Sequence, residues 1–188
     1  MRTRCCLPVL VGLLTLGCGG DAPPPTASQA SPPSNEAATD DDPTPPIDER
    51  PVVVFLGDSL TAGFGLDEHQ AFPALVESAL SDRDRPIRMI NAGVSGDTSA
   101  GGLARLDWLL RQAPDIVVVS LGANDGLRGV ELASTEANLR AIVERSLATG
   151  ARVLLSGMQI PPNYGQDYTE GFAALYPRLS TELDVPLV

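Results

Sequence analysis

Lysine is absent from this 188-residue chain, histidine occurs once, and the three cysteines all stand near the amino terminus, at positions 5, 6 and 18. Each shortage excludes something. Without lysine there is no Gly-Lys-Ser/Thr phosphate loop, and no Gly-x-Gly-x-x-Gly follows the first folded apolar run, which removes the usual marks of a nucleotide-binding module. With no cysteine beyond Cys18, the folded part can hold neither a disulfide nor a Cys-based metal site. Thirteen basic residues, all arginine, face 24 acidic ones for a formal charge of −11. Nucleic-acid binding calls for a basic footprint, and this balance argues against such a partner. Long apolar runs are also lacking: the stretch 5–16 is too short to cross a bilayer as a stable anchor.

What that stretch does fit is a secretory signal. Arg2 and Arg4 precede it, and Leu16-Gly17-Cys18 follows with small residues at the expected cleavage point. Leu-Gly-Cys resembles the bacterial lipoprotein signal motif, which implies lipidation of Cys18, a membrane anchor, and an extracytoplasmic (periplasmic or outer-membrane) location. Residues 1–18 are thus expected to be the leader. Residues 19–50 are rich in Pro, Ala, Ser, Thr and Asp with almost no large apolar side chain, and should form a disordered spacer, locally stiffened by proline.

From residue 51 onward the pattern changes. Val-Val-Val-Phe-Leu, 52–56, is an uninterrupted apolar run of the kind buried on both faces of a parallel sheet. It stops at Gly57-Asp58-Ser59, which leaves Ser59 at the strand's carboxyl end, the edge where open α/β sheets bind ligands. Helical spacing then predicts helices over 71–80 and 101–112, over 134–149 with Ser134 or Thr135 as N-cap, and around 172–183. Pro177 should kink that last helix or mark its start. Strands are expected at 87–90, 116–121 and 153–155, with 186–188 opening a fifth. Strict alternation of strand and helix points to a flavodoxin-like three-layer α/β/α domain, its sheet covered on both faces.

Three loops follow three of these strands at one predicted rim. They hold Gly57-Asp58-Ser59, then 91–98 with Gly96, then Gly122-Ala123-Asn124-Asp125. Acyl transfer needs a nucleophile and donors aimed at the oxygen that becomes negative. Ser59 can supply the hydroxyl and its own N–H, Gly96 a backbone N–H close by because it lacks a Cβ, and Asn124 a side-chain amide. Each block alone is ordinary turn chemistry. Their appearance after successive strands is not.

The blocks Gly57-Asp58-Ser59-Leu60-Thr61-Ala62-Gly63, Ser95-Gly96-Asp97-Thr98-Ser99 and Gly122-Ala123-Asn124-Asp125-Gly126-Leu127-Arg128-Gly129 together resemble the SGNH (GDSL) hydrolases. The closest likeness is to the bacterial thioesterase I/lysophospholipase/arylesterase group, and it covers the chain from residue 52 to 188. The resemblance implies Ser59 as nucleophile, Ser59 N–H, Gly96 N–H and the Asn124 side chain as oxyanion hole, and Asp58 and Asp125 as loop braces. It further implies carboxylic esters or thioesters as small-molecule substrates, no metal or organic cofactor, and Asn163 and Tyr164 of the Ile160-Pro161-Pro162-Asn163-Tyr164-Gly165 loop beside the substrate. One block of the family is not present. Its general base stands in an Asp-x-x-His motif beyond the fifth strand, and the single histidine here, His69, reads as a surface or loop residue. The domain at 51–188 is therefore expected to be incomplete at its carboxyl end, with one apolar flank of the sheet open. As a polypeptide it should be nearly inactive, since losing a triad histidine costs on the order of 10⁶ in turnover. A non-catalytic ligand- or carbohydrate-binding lipoprotein and a carbohydrate O-acetyl esterase are the competing readings.

Overall fold

The run 52–57 is apolar at every position, and it forms an inner strand of the sheet, β1 (Val52–Gly57), every residue of which is buried. A computed structural model describes residues 48–188; the leader, Cys18 and the linker up to residue 47 lie outside the described residues. Beside β1 run β2 (Arg88–Gly93) and β3 (Ile116–Ser120), with β4 (Arg152–Leu155) outside β3, in the order β2-β1-β3-β4. All pairings are parallel. Residues 186–188 do begin a further strand: Leu187 bridges Leu155 in parallel, and Val188 N–H donates to the Leu155 carbonyl at 3.0 Å. This is the flavodoxin-like arrangement expected from the alternating pattern.

Alternation along each strand sorts side chains onto two faces. Val54, Leu56, Val117, Val119, Val153 and Leu155 point to the larger core. It is closed by α3 (Ser99–Leu110), α5 (Leu132–Ala148) and α6 (Gln166–Leu183) through Leu106, Leu139, Ile142, Phe172, Leu175 and Leu179. Val53, Phe55 and Val118 point the other way, where α2 (Phe72–Ser81) covers β1 and β2. The Phe72 ring meets Phe55 edge-on at 5.6 Å. Beyond α2 the second face thins out, and Leu154 of β4 is only half-buried there.

Several boundaries differ from those the sequence suggests. β2 continues through Asn91-Ala92-Gly93, which pair with Phe55, Leu56 and Gly57 although they carry turn-forming residue types. α5 begins at Leu132 with Glu131 as its N-cap, not at Ser134 or Thr135. Thr135 is instead buried on the helix's inner side. α6 begins at Gln166, so Pro177 lies well inside it. Pro177 is exposed, and the carbonyl it leaves without an N–H one turn earlier belongs to the exposed Ala173, where water can serve it. Arg50, placed at the linker's end by composition, donates to the Ile87 carbonyl at 3.2 Å and so is tied to the domain.

Candidate active site

Ser59 opens a one-turn helix, α1 (Ser59–Ala62), immediately past β1. Asp58 is its N-cap: the carboxylate accepts from Leu60 N–H at 3.0 Å. The Gly96 loop turns between β2 and α3, and Asp97 N–H closes it by donating to the Val94 carbonyl at 3.0 Å. Gly96, third of those four residues, has φ +79°, the left-handed region a type II turn demands there. Room for a side chain does exist, since a Cβ would come no closer than 3.5 Å to its nearest neighbour, Arg128. Glycine is thus needed for its backbone angle rather than for lack of a Cβ contact. Asn124 lies in α4 (Ala123–Leu127), one turn directly after β3.

These three turns meet. The Asn124 side-chain amide donates to the Asp97 carbonyl at 2.9 Å and, at the long distance of 3.4 Å, to the Asp58 carboxylate. One side chain therefore ties the residue before Ser59 to the residue after Gly96. Among the described residues, neither Ser59 N–H nor Gly96 N–H has a protein acceptor. Two unoccupied backbone donors and one weakly engaged amide hydrogen thus stand on the same rim.

The two aspartates are both buried. Burial holds the Asp58 carboxyl above its ordinary pKa, opposed by the N–H groups it accepts from and assisted by the nearby Asp97 charge. Asp125 accepts from Ser99 N–H at 2.8 Å, Ser99 Oγ at 2.5 Å and, more distantly, Thr135 Oγ1 at 3.4 Å. That pins α4 to the first turns of α3 and α5, which is the bracing expected of it.

Residues that sequence reasoning missed complete the frame. Arg105, on α3, donates through Nε to the Asp97 carboxylate at 2.8 Å and through its terminal nitrogen to the Gly57 carbonyl at 3.0 Å. Arg128 donates to the Gly96 carbonyl at 2.8 Å. Only the pattern of a lone cation on a largely apolar helix could have marked Arg105 beforehand. Tyr164 folds over α4, its hydroxyl donating to the Leu127 carbonyl at 3.0 Å, while Asn163 is exposed beside it in a 3₁₀ turn, Pro162–Tyr164. His69 is exposed in another 3₁₀ turn, Glu68–Gln70. It lines a groove with Arg50, Glu77, Asp82 and Pro86 that includes none of the three loops. Among the described residues no three His, Cys, Asp or Glu side chains cluster as a metal site.

A parallel α/β sheet presenting a serine at the end of an inner strand, with a glycine turn and an asparagine on the two neighbouring loops, has the layout of an SGNH-type hydrolase domain. Residues 55–188 match the model of the GDSL-like lipase/acylhydrolase family, and the chain belongs to it. It is 45% identical over 137 residues to Esterase TesA of Pseudomonas aeruginosa, covering 72% of this chain and 68% of that protein. Thioesterase 1/protease 1/lysophospholipase L1 of Escherichia coli is likewise 45% identical over 137 residues, with 64% of its length covered. The chain spans about two thirds of the length of these curated relatives. Among solved structures, AlinE4, an SGNH-hydrolase family esterase, superposes with a TM-score of 0.72 at 42% identity, covering 76% of this chain and 77% of its own.

Proposed function

We propose that this domain hydrolyses carboxylic esters or thioesters through an acyl-Ser59 intermediate. Ser59 N–H, Gly96 N–H and the Asn124 amide receive the negative oxygen of the tetrahedral intermediate. The observation that carries the reading is the Asn124 amide spanning Asp58 and the Asp97 carbonyl, which gathers the three turns at one rim beside two unpaired N–H groups. Backbone donors fixed in place before the reaction cost no reorganisation when charge develops on the substrate oxygen. When that oxygen arrives, the long 3.4 Å contact to Asp58 is the one the Asn124 amide gives up most cheaply. The bond from the Tyr164 hydroxyl to the Leu127 carbonyl, on the same one-turn helix as Asn124, supports Asn163 and Tyr164 as residues beside the substrate. The names of the relatives (esterase, thioesterase, lysophospholipase) favour acyl esters and thioesters as the substrate class. The leader-like start and Leu16-Gly17-Cys18 support an extracytoplasmic enzyme tethered through a lipid on Cys18.

The test is turnover of p-nitrophenyl acetate and butyrate by the whole gene product. Ser59→Ala should abolish it, and Asn124→Ala should lower kcat by about 10²–10³-fold, the cost of removing one such donor. Turnover that survives Ser59→Ala would end the assignment.

A further inference from the structure

We infer that Arg105 is a positioning residue that sets the separation of the two backbone donors, Ser59 N–H and Gly96 N–H. The inference rests on the oxyanion-hole reading above. Its geometry is a closed clamp. The Gly57 carbonyl, two residues before Ser59, accepts Val94 N–H at 3.0 Å and the Arg105 guanidinium at 3.0 Å. Val94 stands two residues before Gly96. From the other side, the same guanidinium holds the Asp97 carboxylate at 2.8 Å, one residue after Gly96. A single planar fork therefore grips the chain just ahead of Ser59 and just behind Gly96, and the Asn124 amide grips Asp97 through its carbonyl.

The clamp is built, not incidental. Side-chain exposure is 25% for Arg105 and 12% for Asp97, so water screens the pair little. Room for the carboxylate is made by Gly101, where a Cβ would lie 1.8 Å from an Asp97 oxygen. Thr98 N–H donates to that same oxygen at 3.1 Å, fixing the carboxylate's rotamer. Arg128 also reaches the Gly96 turn, but it is exposed and makes a single contact there. Asn124 spans the same two turns, but one of its two contacts is long at 3.4 Å, whereas Arg105 holds both through bonds of 2.8 and 3.0 Å from one rigid group. A lysine ammonium is a point charge and cannot reproduce two in-plane bonds to acceptors on different loops.

The experiment pairs kinetics with a readout that needs no turnover. In the whole gene product, Arg105→Met should lower kcat for p-nitrophenyl butyrate by about 10–100-fold with KM held within about twofold, because donors to the transition state are misplaced while ground-state binding is not. Arg105→Lys should fall between wild type and Arg105→Met. On the same protein labelled with ¹⁵N, the substitutions should shift the amide resonances of Ser59 and Gly96 and speed exchange of Val94 N–H, leaving Val117 and Val119 in place. If Arg105→Met does not fold, Arg105→Lys and Asp97→Asn carry both readouts. An unchanged kcat, a loss that follows only the folded fraction, or unmoved Ser59 and Gly96 amides would each overturn the inference. Wild-type protein without Ser59-dependent turnover would instead sink the hydrolase reading, and the amide measurement would still decide the clamp.

Discussion

Asp125 shows how little of this rim is free to vary. Its carboxylate is buried and accepts from a backbone N–H and two hydroxyls drawn from α3 and α5. Asparagine would turn an N–H₂ toward at least one of those donors and leave buried polar groups unpaired. Asp125→Asn should therefore cost about 2–3 kcal/mol and lower Tm by roughly 5–12 °C in a thermal melt followed by circular dichroism. A change within about 1 °C would mean that the three contacts are not what holds α4. At this scale the sequence offered Ser59, Gly96 and Asn124 as candidates because each lies in a loop that follows an expected strand, where strand ends can be counted. It did not show Arg105, since its partners lie 8 and 48 residues away and no local pattern links them. Thr135 was misread for a related reason. A hydroxyl near a helix start is ordinarily a cap, but this one is turned inward, toward Asp125.

Among the elements, the junction of α5 and α6 is the one with a titration built into it. Glu136 pairs with Arg178 of α6 and with Arg140 one turn along, and Arg140 reaches Glu182 of α6. The Arg178 hydrogen bond is the main cause that holds the Glu136 carboxyl below its ordinary value of 4.5, against a smaller opposing effect of burial. A carboxylate whose pKa is lowered by folding stabilises the native state above the unfolded value, and the gain disappears as pH falls through the folded value. Glu136→Gln should accordingly lower Tm at pH 7 by about 1–3 °C, the modest scale of a partly exposed pair. The difference from wild type should close as pH drops below 4.5 and should shrink in high salt. A gap that stayed constant from pH 7 to pH 3 would exclude the ion pairs as its source. Elements with strong apolar periodicity were legible to within a few residues, except for α6, which begins at Gln166 and not near residue 172. The one-turn helices α1 and α4 were not, because four or five residues carry no periodicity to read.

Seen as a whole molecule, the domain has two unequal halves on either side of one sheet. The face under α3, α5 and α6 is a closed core, and the face under α2 is buried over β1 and β2 and at Val118 of β3 but thins toward β4. Leu155 and Leu154 sample the two faces from neighbouring positions of β4, the first fully buried and the second half-buried. Replacing each by alanine removes the same atoms from the same strand, so any difference in cost reflects the face and not the chemistry. Leu155→Ala leaves a cavity in close-packed surroundings and should cost about 2–4 kcal/mol. Leu154→Ala forfeits only part of a side chain's burial and should cost less than about 1.5 kcal/mol. Urea unfolding of the 188-residue chain separates the two, with the slope m unchanged if both variants retain the native fold. Equal losses at the two positions would mean that the second face is as closely packed as the first, and the asymmetry described here would not hold. Apolar strand patterns were enough to give the parallel sheet. Those patterns report what a strand buries, whereas how completely a face is covered depends on helices whose packing no single stretch encodes.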